Sequence, residues 1–77
     1  MSRVFTDAGL RTWEAYASGG KFGLPDEPKI VFNCLSDPDR RARYVVHAGD
    51  QADAEEQVHS VSEAELRSML ASARELD

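Results

Sequence analysis

The chain has 77 residues, with 14 acidic against 9 basic side chains and a formal net charge of −5. That length holds one domain, residues 1–77, burying only about 60–65% of the surface its unfolded chain exposes, and the negative charge argues against bulk attraction to nucleic acid or anionic membrane. Cys34 is the one cysteine, which excludes an intramolecular disulfide and fits a reducing compartment; with no run resembling a signal peptide or a membrane span, the expected location is cytoplasmic.

Residues 3–6 alternate weakly and carry Val4 and Phe5. Asp7-Ala8-Gly9 follows, a turn in which Gly9 is available for a positive φ. Residues 11–17, with Trp13 and Tyr16, are rich in strand formers. The two segments predict a hairpin in which Phe5 faces Trp13 and begins the core.

Residues 18–28 hold three glycines and two prolines, which forbid regular structure. Lys21 among the glycines invites a phosphate-loop reading, but G-x-x-x-x-G-K-[ST] is not present and no apolar helix follows. Phe22 or Leu24 is expected to anchor this loop under the sheet. Residues 29–36, KIVFNCLS, form the strongest strand pattern. A proline turn at Asp37-Pro38-Asp39-Arg40 leads to a returning strand at residues 41–48, which Gly49-Asp50 ends.

Residues 51–60 are polar and acidic, with Val58 their one large apolar side chain; they are expected to connect sheet to helix as loop or a turn or two of helix from Asp50. Residues 62–76 carry the clearest helix signal. Ser62 and Glu65 have capping-box spacing, and Val61 and Leu66 that of a hydrophobic staple. Leu66, Met69, Leu70, Ala73 and Leu76 make one apolar stripe. Glu63 and Arg67 stand four apart in the favourable order, worth about 0.2–0.5 kcal/mol when exposed.

Strand alternation divides the apolar residues between two faces. Phe5, Trp13, Ala15, Ile30, Phe32, Cys34, Tyr44 and Val46 are assigned to the face under the helix. Val4, Tyr16, Val31, Leu35 and Val45 are assigned to the other, diluted by Thr12, Glu14, Asn33, Arg43 and His47. One helix covers one side of a sheet, so Tyr16, Val31, Leu35 and Val45, with Arg43 and His47 at the rim, are the candidate protein interface, for another protein or for a second copy. An ordinary solvated antiparallel face is the plainer alternative.

Catalytic chemistry finds little support. Cys34 and His47 are assigned to opposite faces, and Cys34 is expected to act as a small buried hydrophobe. The carboxylates sit in polar loops where nothing raises a pKa. His47, Asp50, Asp53 and His59 lack the convergence of a zinc set. No metal, no cofactor and no enzymatic activity are expected. Arg40, Arg41 and Arg43 form the one basic cluster and are the alternative site, for single-stranded nucleic acid, although Asp37 and Asp39 offset much of its field.

The Phe5-Thr6-Asp7-Ala8-Gly9-Leu10-Arg11-Thr12-Trp13 opening, the Ile30-Val31-Phe32 strand and the Ser62-Glu63-Ala64-Glu65-Leu66 cap resemble a class of small uncharacterised bacterial proteins with an F-x-D…G…W hairpin and a C-terminal Ser-x-x-Glu-Leu helix. The resemblance spans nearly the whole chain, supports the fold and implies no functional residues. The expected architecture is α+β: a four-stranded antiparallel sheet of two β-hairpins with one C-terminal helix packed on one face. The expected function is a protein-interaction or regulatory module.

Overall fold

Five strands and two helices follow one another as β1 (Ser2–Thr6), β2 (Thr12–Ser18), β3 (Lys29–Cys34), β4 (Arg43–Val46), α1 (Gln51–Ser60), α2 (Glu63–Ser72) and β5 (Arg74–Glu75). They come from a computed structural model of the chain that describes residues 2–19, 28–47 and 49–76. The expectations for Lys21, Phe22 and Leu24 lie outside these residues. The strands form one antiparallel sheet in the order β1-β2-β3-β4-β5. The α+β class therefore holds, with one strand and one helix more than the sequence reading gave.

Register places the core. Phe5 pairs with Trp13, as expected, and Trp13 with Cys34; Ala15 pairs with Phe32 and Ala17 with Ile30. Partners across an antiparallel ladder share a face, so these residues line one side of the sheet. There all but Ala17, which packs against them partly buried, join Ala54 and Val58 of α1 and Leu66 and Leu70 of α2 in a single buried cluster. The ring contact inside it is Phe5 against Phe32, edge to face with centroids 6.0 Å apart, a geometry that aromatic quadrupoles favour.

Helix α1 takes the second of the two expected forms, a helix started at Asp50, and runs longer than the turn or two expected, over ten residues. Gly49 takes φ +135° before it, a backbone state that side chains other than glycine rarely adopt. Asp50 then caps the helix, its Oδ1 accepting from Asp53 N at 2.9 Å. Only Ala54 and Val58, one turn apart, face the sheet, and both are completely buried. At the other end, Arg3 of β1 donates from Nη1 to the carbonyls of Val58, at 3.2 Å, and Val61. A guanidinium there satisfies carbonyls that have no partner within the helix and complements the dipole.

Helix α2 begins as expected, with Ser62 Oγ accepting from Glu65 N at 3.2 Å. It ends at Ser72, not at residue 76. Arg74 and Glu75 become β5, opposite Tyr44 and Arg43, and Leu76 N donates to Ala42 O. Residues 73–76 contain no breaker, so local propensity would continue the helix. Pairing along the free edge of β4 instead satisfies a row of strand hydrogen bonds that would otherwise face solvent, and this tertiary gain wins.

The face assignment of β4 is also corrected. Val45 pairs with Ile30, and Tyr44 with Val31. Val45 and Arg43 therefore share the helix side with Ile30, and Tyr44 and Val46 take the opposite side. Tyr44-Val45-Val46 is apolar on both parities, so the strand's own pattern could not choose; the register against β3 did.

Candidate functional site

The helices leave one face of the sheet uncovered. Across it runs an in-register row, Tyr16–Val31–Tyr44, continued by Arg74. Val46 lies beside this row, opposite Lys29, and is 53% exposed. Val4 and Leu35 are exposed on the same face. Val31 is only 5% exposed, yet it stands outside the helix-side core. Of the six residues named as a candidate interface, Tyr16, Val31 and Leu35 lie on this face. Val45 packs against the core, and by alternation Arg43 and His47 lie with it on the helix side.

Cys34 and His47 thus share the helix side, contrary to their expected separation, but they are not brought together. His47 N donates to Pro28 O beside the start of β3, whereas Cys34 ends that strand. Six residues of strand place them about 20 Å apart.

A cleft of about 280 Å³ opens at the end of the sheet where the β1–β2 turn and the β3–β4 loop meet α2. The turn contributes Asp7, Ala8, Gly9 and Arg11, the loop Arg40, β4 Arg43, and α2 Arg67, Leu70 and Ala71. Arg67, Leu70 and Ala71 have i, i+3, i+4 spacing and so share one helix face. Arg67 Nη1 donates to Thr6 O at 3.0 Å, which turns that guanidinium toward β1. Arg43 Nη1 reaches Leu70 O at 3.5 Å.

The charges of this cleft are unbalanced. Asp7 is the one carboxylate among its described lining residues, and its oxygens are already engaged. Oδ1 accepts from Gly9 N and Arg11 N at 2.9 and 2.8 Å, and Oδ2 from Trp13 Nε1 at 2.8 Å. Burial pushes the Asp7 carboxyl up, but these three donors and the Arg11 charge outweigh it and hold the group below its ordinary value. Arg40 has a loose ion pair, Nε to Asp37 Oδ2 at 3.8 Å. The Nε atoms of Arg40 and Arg43 are buried without a hydrogen-bond partner. Each such orphaned donor costs about 1–3 kcal/mol, more where the group is charged.

The basic triplet seen in the sequence is divided. Arg40 and Arg43 join the cleft, while Arg41 lines a neighbouring groove with Asp37, Asp39 and Glu75, a groove that Arg40 also borders. Arg11 and Arg67 complete the cleft and were not legible as site residues, because they stand far from the triplet in sequence. The remaining signal was positional: Arg67 directly follows buried Leu66 and lies one turn before Leu70, at the edge of the apolar stripe.

Asp50 serves as the α1 cap, and His59 lies in the last turn of that helix. No group of three or more metal-ligating side chains occurs among the described residues. No helix among them is long and apolar enough to cross a membrane. No protein-family model, curated protein or solved structure matches the chain.

Proposed function

We propose that the protein is a small interaction module that works through the sheet face that neither helix covers, and that the occupant of that face is a second copy of the chain. The observation that carries this reading is the Tyr16–Val31–Tyr44 row with Val46 beside it. Three strands bring these side chains together on a face that neither helix covers, and joined apolar patches of this kind mark interfaces. The face carries Glu14 against Lys29 and Arg74, so it holds both signs of charge. Glu14 and Arg74 both lie on it, toward opposite edges of the sheet. A twofold axis between β3 and β4 lays β2 of one copy against β5 of the other, bringing Glu14 toward the partner copy's Arg74.

The test is light scattering after size exclusion over a range of concentrations. The expected result is a concentration-dependent dimer that Val46→Asp converts to monomer. A monomer at every concentration rejects self-association through this face. Val45→Asp would instead place a charge against the core and test the fold.

A further inference from the structure

Four of the nine lysines and arginines of this acidic chain meet in one cleft: Arg11, Arg40, Arg43 and Arg67. Asp7 in the lining and Asp37, loosely paired with Arg40 from outside it, offset two of these charges and leave two. Asp7 interacts with the charge of Arg11, while its oxygens accept from two backbone N–H groups and the Trp13 indole, none of these donors being a guanidinium. Arg43 keeps a buried Nε donor with no hydrogen-bond partner, and that of Arg40 has only the loose ion pair to Asp37 at 3.8 Å. A concave lining with this surplus of guanidinium charge suits an acceptor that arrives with a ligand.

We infer that the cleft between the β1–β2 turn, the β3–β4 loop and α2 binds a compact, multiply charged oxyanion of the phosphate monoester class. The cations are all arginines, whose planar forks match the paired oxygens of an oxyanion, whereas a lysine would offer only a point charge. A volume of about 280 Å³ lies at or below the lower end of small-molecule pockets, about 300–1,000 Å³, and suits a small headgroup. Leu70, Ala71 and Ala8 supply apolar wall for the organic part of the ester. An extended nucleic-acid backbone fits less well. Arg41, which would prolong the basic track past Arg40, lies in the neighbouring groove that Arg40 borders, where Asp37, Asp39 and Glu75 offset its charge.

The experiment is a titration of the ¹⁵N-labelled protein with inorganic phosphate, followed through the arginine Nε–H resonances, with sodium chloride at matched ionic strength as control. Phosphate is expected to shift the Arg40 and Arg43 signals saturably where chloride does not. Arg40→Gln is expected to weaken binding by about tenfold or more, while Arg41→Gln, with the same change in charge, leaves it within about twofold. Arg11→Gln provides a second cleft variant should Arg40→Gln disturb the β3–β4 loop. Shifts that fail to saturate, that chloride reproduces, or that Arg41→Gln reduces as much as Arg40→Gln overturn the inference. Phenyl phosphate and a phosphoserine peptide then separate the two sources of a monoester: tighter binding of either than of inorganic phosphate supports the site and identifies its source. Tighter binding of a single-stranded oligonucleotide lacking terminal phosphates overturns the monoester class.

Discussion

Asp7 fastens Trp13 to the turn that precedes it: the indole Nε1 donates to Asp7 Oδ2 at 2.8 Å. The same carboxylate accepts from Gly9 N and Arg11 N through its other oxygen. One side chain therefore shapes the β1–β2 turn and orients the largest residue of the core, which lies opposite Phe5 on one side and Cys34 on the other. It also holds one wall of the arginine cleft.

Asp7→Ala is expected to lower stability by about 1.5–3 kcal/mol, the range for hydrogen bonds to a charged group. Urea unfolding with an unchanged slope measures it. The pH dependence follows from the sign of the shift. The folded-state pKa of Asp7 lies below the ordinary aspartate value of 3.8. Its contribution is fully present above that value and is lost as pH falls through the lowered folded-state pKa. The difference in stability between wild type and Asp7→Ala should stay constant near neutrality and shrink in acid. A difference that grows in acid would contradict the assignment.

Leu10, next to this turn, is 84% exposed and has φ +65°. Gly9, the residue available for a positive φ, leaves that conformation to its neighbour. The left-handed state costs about 1–2 kcal/mol for an ordinary residue, while glycine adds about 0.5–1 kcal/mol of unfolded-state entropy. Leu10→Gly is therefore expected to stabilise the fold by about 0.5–1 kcal/mol, read as a higher urea midpoint. An exposed leucine contributes too little packing to reverse that sign.

The parts of this fold that were legible in sequence are those decided locally. Ser62 and Glu65 announce the start of α2, and Leu66 and Leu70 its buried side. Phe5, Trp13, Ala15, Ile30 and Phe32 announce the inner face by alternation. The rest depended on partners distant in sequence. Helix α1 buries only Ala54 and Val58, too narrow a stripe to stand out from its polar surroundings. β5 exists because β4 offers an edge, although Arg74 and Glu75 are good helix formers. Val45 faces inward because Ile30 does. The cleft draws its arginines from positions 11, 40, 43 and 67, so sequence proximity exposed only part of it.

The contact of Arg3 with α1 is another such distant pairing, and it is open to test. Its guanidinium serves the carbonyls of Val58 and Val61 at the end of the helix. Arg3→Met keeps the apolar stem and removes the charge. The expected loss is about 1.5–3 kcal/mol, with amide exchange rising first in the last turn of α1. Exchange that rises uniformly across the sheet would show that Arg3 acts through β1 instead.

Cys34 supplies a probe that ties these variants together. It is 6% exposed, opposite Trp13 in the ladder, with Sγ 3.8 Å from Ser36 Oγ. A bulky thiol reagent reaches it only when the surrounding core opens. Where opening and closing are fast relative to the reaction, the labelling rate follows the population of the open form. Each 1.4 kcal/mol of stability then changes that rate about tenfold. Asp7→Ala should accelerate labelling by roughly one to two orders of magnitude, and Leu10→Gly should slow it several-fold. Stopped-flow mixing with an aromatic disulfide measures both. Labelling as fast as in denaturant, or unmoved by either variant, would place the thiol outside the cooperative core; graded rates would make Cys34 a reporter of the same unfolding that urea measures.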